Sequence, residues 1–206
     1  FKTRAGDTVG LEGLLDDAVA KTFAVVCQLD DQKKDGPQLD ENARRAIAET
    51  IGLSAIKYAD LSQNRESDYV FSFDKMVALD GNTAPYMMYA YARVKSIFAK
   101  GNIDTATLRD DASPVILQHE AERTLGLTLL RFGEALASAM TDYRPNVLTD
   151  YLYDLAKAYS AFFENCPVLK AETDEIRTSR LKLCDLTARV LRQGLELLGI
   201  PVVERM

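Results

Sequence analysis

"GNTAPYMMYAYARVKSIFAK", residues 81–100, decides the fold. Thr83 is placed to cap a helix, and Pro85 falls in its first turn, where a missing N–H costs nothing. At about 100° per residue, Met87, Tyr91, Val94 and Phe98 fall within roughly 60° of one another. They form the core stripe of an amphipathic helix. Tyr86, Tyr89, Arg93 and Lys100 gather on a second face, roughly 100–160° from the first by the same arithmetic. That face admits two readings. It belongs to a helix buried on two sides, with the phenols reaching out at the core edge. Alternatively, it is a stacking platform for nucleic-acid bases, with cations beside it for phosphates.

Helical signals continue on both sides of this stretch. Residues 10–29 place Leu11, Leu14, Leu15, Ala18 and Val25 close to a 3.6-residue period. A polar loop, "DQKKDGPQ" (31–38), follows. Asp40 then caps a helix with Ala43, Ile47 and Ile51 on one face, expected to break near Gly52. "DYVFSFDKMVAL" (68–79) is the one strand-like run, and it reads equally as an extended linker. Ser113 and Pro114 repeat the start signal, and two helices divided near Gly133 are expected from there to residue 140. Pro145 opens a helix with Leu148, Leu152, Leu155, Tyr159 and Phe162 on its apolar stripe, ended at Asn165–Pro167. The last helix starts near Thr173 and stops at Gly199. Long helices with short connections predict an all-α antiparallel bundle over 80–206, preceded by a smaller helical linking region over 1–79.

Composition narrows the function. A hydrophobic content of 47% over 206 residues is enough for a sizeable core. No apolar run approaches ~20 residues, so no membrane partner is expected. Three cysteines without C-x-x-C spacing suggest reduced thiols in a cytoplasmic protein, and His119 has no metal-ligand partners at ligand spacing. No metal site is predicted, and His119 reads as a helix-start residue. The net charge of −6 argues against nucleic acid unless the cations are grouped. Arg177, Arg180, Lys182, Arg189 and Arg192 on the last helix are candidates for such a group, although rows of this kind are usually solvated faces. A second aromatic group, Tyr159, Phe162 and Phe163, stands at a helix end; it fills core or offers a docking surface.

"DGNTAPYMMYAYARV", "FENCPVL", "LTARVLRQGLELLGIPVVERM" and the opening "FKTRAGDTV" resemble the C-terminal portion of bacterial-type arginyl-tRNA synthetase, a class I family, over essentially the whole chain. The start without Met fits a piece of a longer protein. The resemblance implies a parent enzyme that joins arginine to tRNA(Arg) with ATP and Mg, working as a monomer. It implies that the bundle grips the anticodon loop and that no catalytic residue or cofactor lies in this piece, which alone is expected to be inactive. "FKTRAG" (1–6) looks like a degenerate form of the K-M-S-K-S loop that closes on ATP phosphates, with Lys2, Thr3 and Arg4 in it; the usual lysines are displaced. By motif position the anticodon contacts would be Tyr86, Tyr89 and Arg93, with Phe163 where relatives carry a tyrosine, Met206, and Asn82 at the mouth of the same helix. A stacked ring at Tyr86 would contribute ~1–3 kcal/mol to binding. Two rivals stand beside this reading: the bundle of another class I synthetase, such as the cysteinyl enzyme, and a helical protein-interaction scaffold.

Overall fold

The structure is a computed structural model that describes residues 10–33, 36–66 and 72–206. Among these residues there are nine helices and no strand. They are α1 (Leu11–Asp31), α2 (Glu41–Leu61), α3 (Phe73–Met76), α4 (Ala84–Gly101), α5 (Thr105–Asp110), α6 (Glu120–Leu130), α7 (Phe132–Thr141), α8 (Pro145–Asn165) and α9 (Asp174–Leu197).

The bundle is built around α4, α8 and α9, with α6 and α7 against α8. Its centre is Met87, Met88, Tyr91 and Val94 from α4, Leu152, Leu155, Tyr159 and Phe162 from α8, and Leu181, Cys184, Leu191 and Leu195 from α9, all buried. Thr83 accepts from the Tyr86 N–H at 3.3 Å and starts α4, and Asn102 in left-handed conformation (φ 49°) ends it. Thr173 caps α9 by accepting from the Ile176 N–H, and Gly199 (φ 68°) turns the chain away just past its end.

Packing alters the elements at several points. Gly52 does not interrupt α2, which runs unbroken. A Cβ there would lie 2.9 Å from the Val19 Cα, so glycine serves the close crossing of α1 and α2. The buried line of α1 is Ala18, Thr22, Val26 and Asp30; Val26 takes the place expected of Val25, and Leu11 is exposed.

Ser113 and Pro114 do not start a helix. Lys182 Nζ reaches the Asp111 and Ser113 carbonyl oxygens (2.8 and 2.6 Å), and Ser179 bonds both backbone groups of Ile116, so this stretch runs extended across α9. The helix begins at Glu120 instead. His119 Nδ1 caps it by accepting from the Ala121 N–H, and Glu122 returns a carboxylate oxygen to the His119 N–H. The division between α6 and α7 falls at Arg131, before Gly133. There the Thr128 carbonyl accepts both the Tyr151 hydroxyl (3.0 Å) and the Arg131 N–H (3.2 Å), a three-residue bond in place of the regular ladder. Of the strand-like run, residues 68–71 lie outside the described set, and residues 73–76 form the one-turn α3.

The linking region docks on the bundle through α2. Tyr58 is fully buried, its hydroxyl 2.6 Å from Asn82 Oδ1 and 3.1 Å from the Thr149 carbonyl oxygen. No helix among the described residues is long and apolar enough to cross a membrane.

Candidate nucleic-acid interface

Four residues on α4 and α8 meet at one end of the bundle. Tyr89 and Arg93 are one helical turn apart, and the guanidinium donates to the Tyr89 hydroxyl at 2.9 Å. The Arg93 carbon Cζ lies 4.6 Å from the centre of the Tyr89 ring and 4.7 Å from that of Phe163. The cation is therefore shared by two ring faces, each attracting it through its quadrupole. Beneath them, the buried Tyr159 touches Phe163, with ring centres 6.3 Å apart. Tyr89 and Phe163 are each 38% exposed, so both rings keep accessible surface. Neither ring is sealed in the core.

Tyr89, Arg93 and Phe163 form one wall of an open groove of about 1260 Å³. Its floor is apolar, from Ile97, Phe98, Ile103 and Val168. Met206 and Arg205 line it from the C-terminal segment, and Lys33 and Gln38 from the α1–α2 connection. Among the described residues the groove collects cations out of an acidic chain: Lys33, Arg93, Lys95, Lys100, Lys170 and Arg205, with Glu204 the one acidic side chain in its lining. Glu204 pairs with Lys95 at 3.3 Å. Lys100, Lys170 and Arg205 have no carboxylate partner among the described residues. Clustered cations with low-dielectric walls concentrate a positive potential even on a protein of net negative charge.

The sequence-based positions divide between this groove and other places. Tyr89, Arg93, Phe163 and Met206 come together in it. Tyr86 turns aside, its ring edge-on to Tyr153 at 5.8 Å and its hydroxyl 3.3 Å from Ser160 Oγ, half-buried against α8. Asn82 lines a separate small cavity beside α2, where its amide accepts from Tyr58 and donates to Asp150 Oδ1 at 3.0 Å. Burial and the neighbouring Asp154 raise the Asp150 pKa, and the Asn82 bond opposes them. Lys2, Thr3 and Arg4 lie outside the described residues.

The basic row on α9 is not a patch. Arg180 is buried in a bond to Glu122 (2.7 Å) and donates to the Pro167 carbonyl. Lys182 is held by Asp111 and Ser113, and Arg192 by Glu196. Arg189 lies 4.0 Å from Asp185, and Arg177 is half-buried. Arg180 and Lys182 thus tie α9 to other segments, while Arg189 and Arg192 are exposed and sit in one-turn pairs on α9 itself. The groove cations that sequence reading did not single out, half-buried Lys95 and exposed Lys170 and Arg205, are scattered along the chain and meet only because α4, the segment after α8 and the C-terminus converge.

The comparisons with known proteins agree with this geometry. Residues 87–206 match the family described as DALR anticodon binding domain, and residues 1–73 match the one described as tRNA synthetases class I (R), catalytic domain. The bundle is thus an anticodon-binding domain of the class I synthetase type. Arginine–tRNA ligases of Rippkaea orientalis and Trichodesmium erythraeum are 53% and 54% identical over the whole chain, which covers 34% of each. The Thermus thermophilus arginyl-tRNA synthetase structure superposes with a TM-score of 0.83 at 30% identity, over 97% of this chain and 32% of its own. That of Plasmodium falciparum gives 0.81 at 32% identity, over 96% and 34%. The chain belongs to the arginyl-tRNA synthetase family, and it spans about a third of the length of the curated relatives it matches.

Proposed function

We propose that this chain grips the anticodon loop of tRNA(Arg) on behalf of an enzyme that joins arginine to that tRNA with ATP. The observation that carries the reading is the clamped guanidinium. Arg93, fixed between Tyr89 and Phe163 at the edge of a cationic groove, offers exposed ring faces for stacking beside cations for phosphates. An anticodon loop is single-stranded RNA whose bases can be splayed out, stacked on aromatic faces and read at their edges. Lys100, Lys170 and Arg205 would hold the phosphates that set the register. Met206 adds an apolar contact. Phe163 can stack but has no hydroxyl to offer a base edge. Tyr86 and Asn82 would act from behind the surface, Tyr86 by bracing α4 on α8 and Asn82 by joining α2 to the bundle.

In this reading, residues 80–206 are the anticodon-binding domain and residues 1–79 are the end of the catalytic region with its link. Lys2, Thr3 and Arg4 would belong to the loop that meets the ATP phosphates. Arginine, ATP and Mg would be handled by the catalytic part of the parent protein, which is taken to work as a cytoplasmic monomer. The alternatives, a bundle specific for another tRNA and a protein-binding scaffold, lack a feature of their own in this groove.

One titration tests the reading. The protein is titrated with tRNA(Arg) and a non-arginine tRNA at two salt concentrations. Selective binding that weakens as salt rises is expected, because released counterions drive phosphate contacts. Equal affinity for both RNAs, or no RNA binding, would reject it. Given ATP and arginine, the same chain alone is expected to form no arginyl-tRNA.

A further inference from the structure

The groove has a wall that the bundle does not supply. Lys33, Gln38 and Leu39 border it from the α1–α2 connection, in the region matched to the catalytic family. The anchor of this connection is Asp30, whose side chain is 1% exposed. Its Oδ1 accepts from the Gln38 N–H (3.0 Å) and Lys33 Nζ (3.0 Å). Its Oδ2 accepts from the Leu39 N–H (3.1 Å) and from Arg44 Nε and Nη2 (3.1 and 2.7 Å). Leu39 also packs against the hydrophobic core.

Two donors thus meet Oδ1 and three meet Oδ2, so every lone-pair site of the buried carboxylate is used. Burial favours protonation of Asp30, yet the two backbone N–H groups, Lys33 and Arg44 together hold its pKa well below the usual carboxylate range. Arg44 is locked, since it also bonds Asp31 at 2.6 Å. The backbone donors cannot leave without unfolding the turn. Lys33 is the donor that can leave, and Oδ1 keeps the Gln38 N–H when it does. Its side chain is 25% exposed and faces the groove.

We infer that Lys33, Gln38 and Leu39 form a second RNA-contacting wall, in which Lys33 exchanges its bond to Asp30 for a phosphate of the RNA backbone, and Asp30 is the positioning residue that sets the wall. This rests on the proposed RNA-binding function of the groove. It makes the residues preceding the bundle part of the binding surface, so register on the RNA is measured jointly by two regions of the chain.

The test is the salt dependence of binding of an unmodified tRNA(Arg) transcript to the intact protein. Lys33→Gln should lower the slope of log K against log salt by roughly 0.7 to 0.9 in magnitude, the effect of one lost phosphate contact. It should weaken transcripts with correct and altered anticodons by the same factor. Lys33→Arg should restore the slope. Arg45→Gln, a change at an exposed α2 cation paired with Glu41 and absent from the groove lining, should leave it as in the wild type. If Lys33→Gln keeps the wild-type slope while Tyr89→Ala still weakens binding, the second wall is wrong and the groove assignment stands. If the wild-type protein binds no transcript, both fall.

Discussion

Among the described residues Arg93 pairs with no carboxylate; its charge is met by two ring faces and a phenol oxygen. A guanidinium suits that place because it is flat and its weak hydration makes stacking inexpensive; an ammonium is compact and strongly hydrated. Arg93→Lys is therefore expected to weaken tRNA binding, and Tyr89→Ala to weaken it by ~1–3 kcal/mol, the range for a ring that stacks on one base. An unchanged dissociation constant in a Tyr89→Ala variant with wild-type helicity would remove the platform. Tyr89 is the clean probe, because Tyr86 also braces α8 and its removal would mix packing with binding. The pairing of Tyr89 with Arg93 was legible in the sequence, since four residues bring side chains to the same face of a helix. Phe163 stood out as part of an aromatic helix end, but its meeting with Arg93 was not legible, because no periodicity relates α8 to α4. Nothing local distinguished Tyr86 from Tyr89: they are three residues apart and alike, and the presence of Tyr153 and Ser160 decides which is covered.

Among the helices, termini were readable and interiors less so. Thr83, Asp40 and Thr173 cap where their side chains predicted, since capping is a contact between a residue and its own next turn. Gly52 misled because low helix propensity and close helix crossing look the same in one sequence. Gly52→Ala gives a sharp expectation. Propensity alone favours alanine by about 1 kcal/mol. The new Cβ would lie 2.9 Å from the backbone of Val19, which cannot rotate away, and overpacking of this kind costs about 1–3 kcal/mol. The variant should lower the urea midpoint; a raised midpoint would show that α1 and α2 can separate freely. Ser113–Pro114 misled for a related reason. The start signal is sound locally, but Lys182 and Ser179 on α9 hold those backbone groups extended.

For the whole molecule, buried and tethered carboxylates govern acid stability. Burial pushes the Glu122 pKa up, but the Arg180 bond and two backbone N–H groups outweigh it and leave it lowered. Lys182, with Ser113, lowers Asp111 to about 2, and Asp30 is lowered by its own donors. A carboxylate whose folded pKa is depressed contributes stability that is complete above its unfolded value and lost as pH falls through the folded one. The melting temperature is therefore expected to hold from neutral pH down to about 5 and to fall below about 4. Asp150, raised by burial and Asp154, acts in the opposite sense and softens the fall. A melting temperature that rises on acidification below that range would contradict the assignment. Summed charge is a similarly global matter. A chain of net charge −6 places six cations among the described residues around one groove, and two cations of its most regular basic row, Arg180 and Lys182 on α9, are spent on internal bonds. The sequence by itself determined the helical class, most helix ends and the Tyr89–Arg93 face, because each depends on residues within a turn or two of one another. Tertiary structure alone decided which cations stand free, that Phe163 closes the sandwich on Arg93, and that Lys33 borders the groove. Those facts depend on residues far apart in the chain, whose meeting is set by how helices cross and pack.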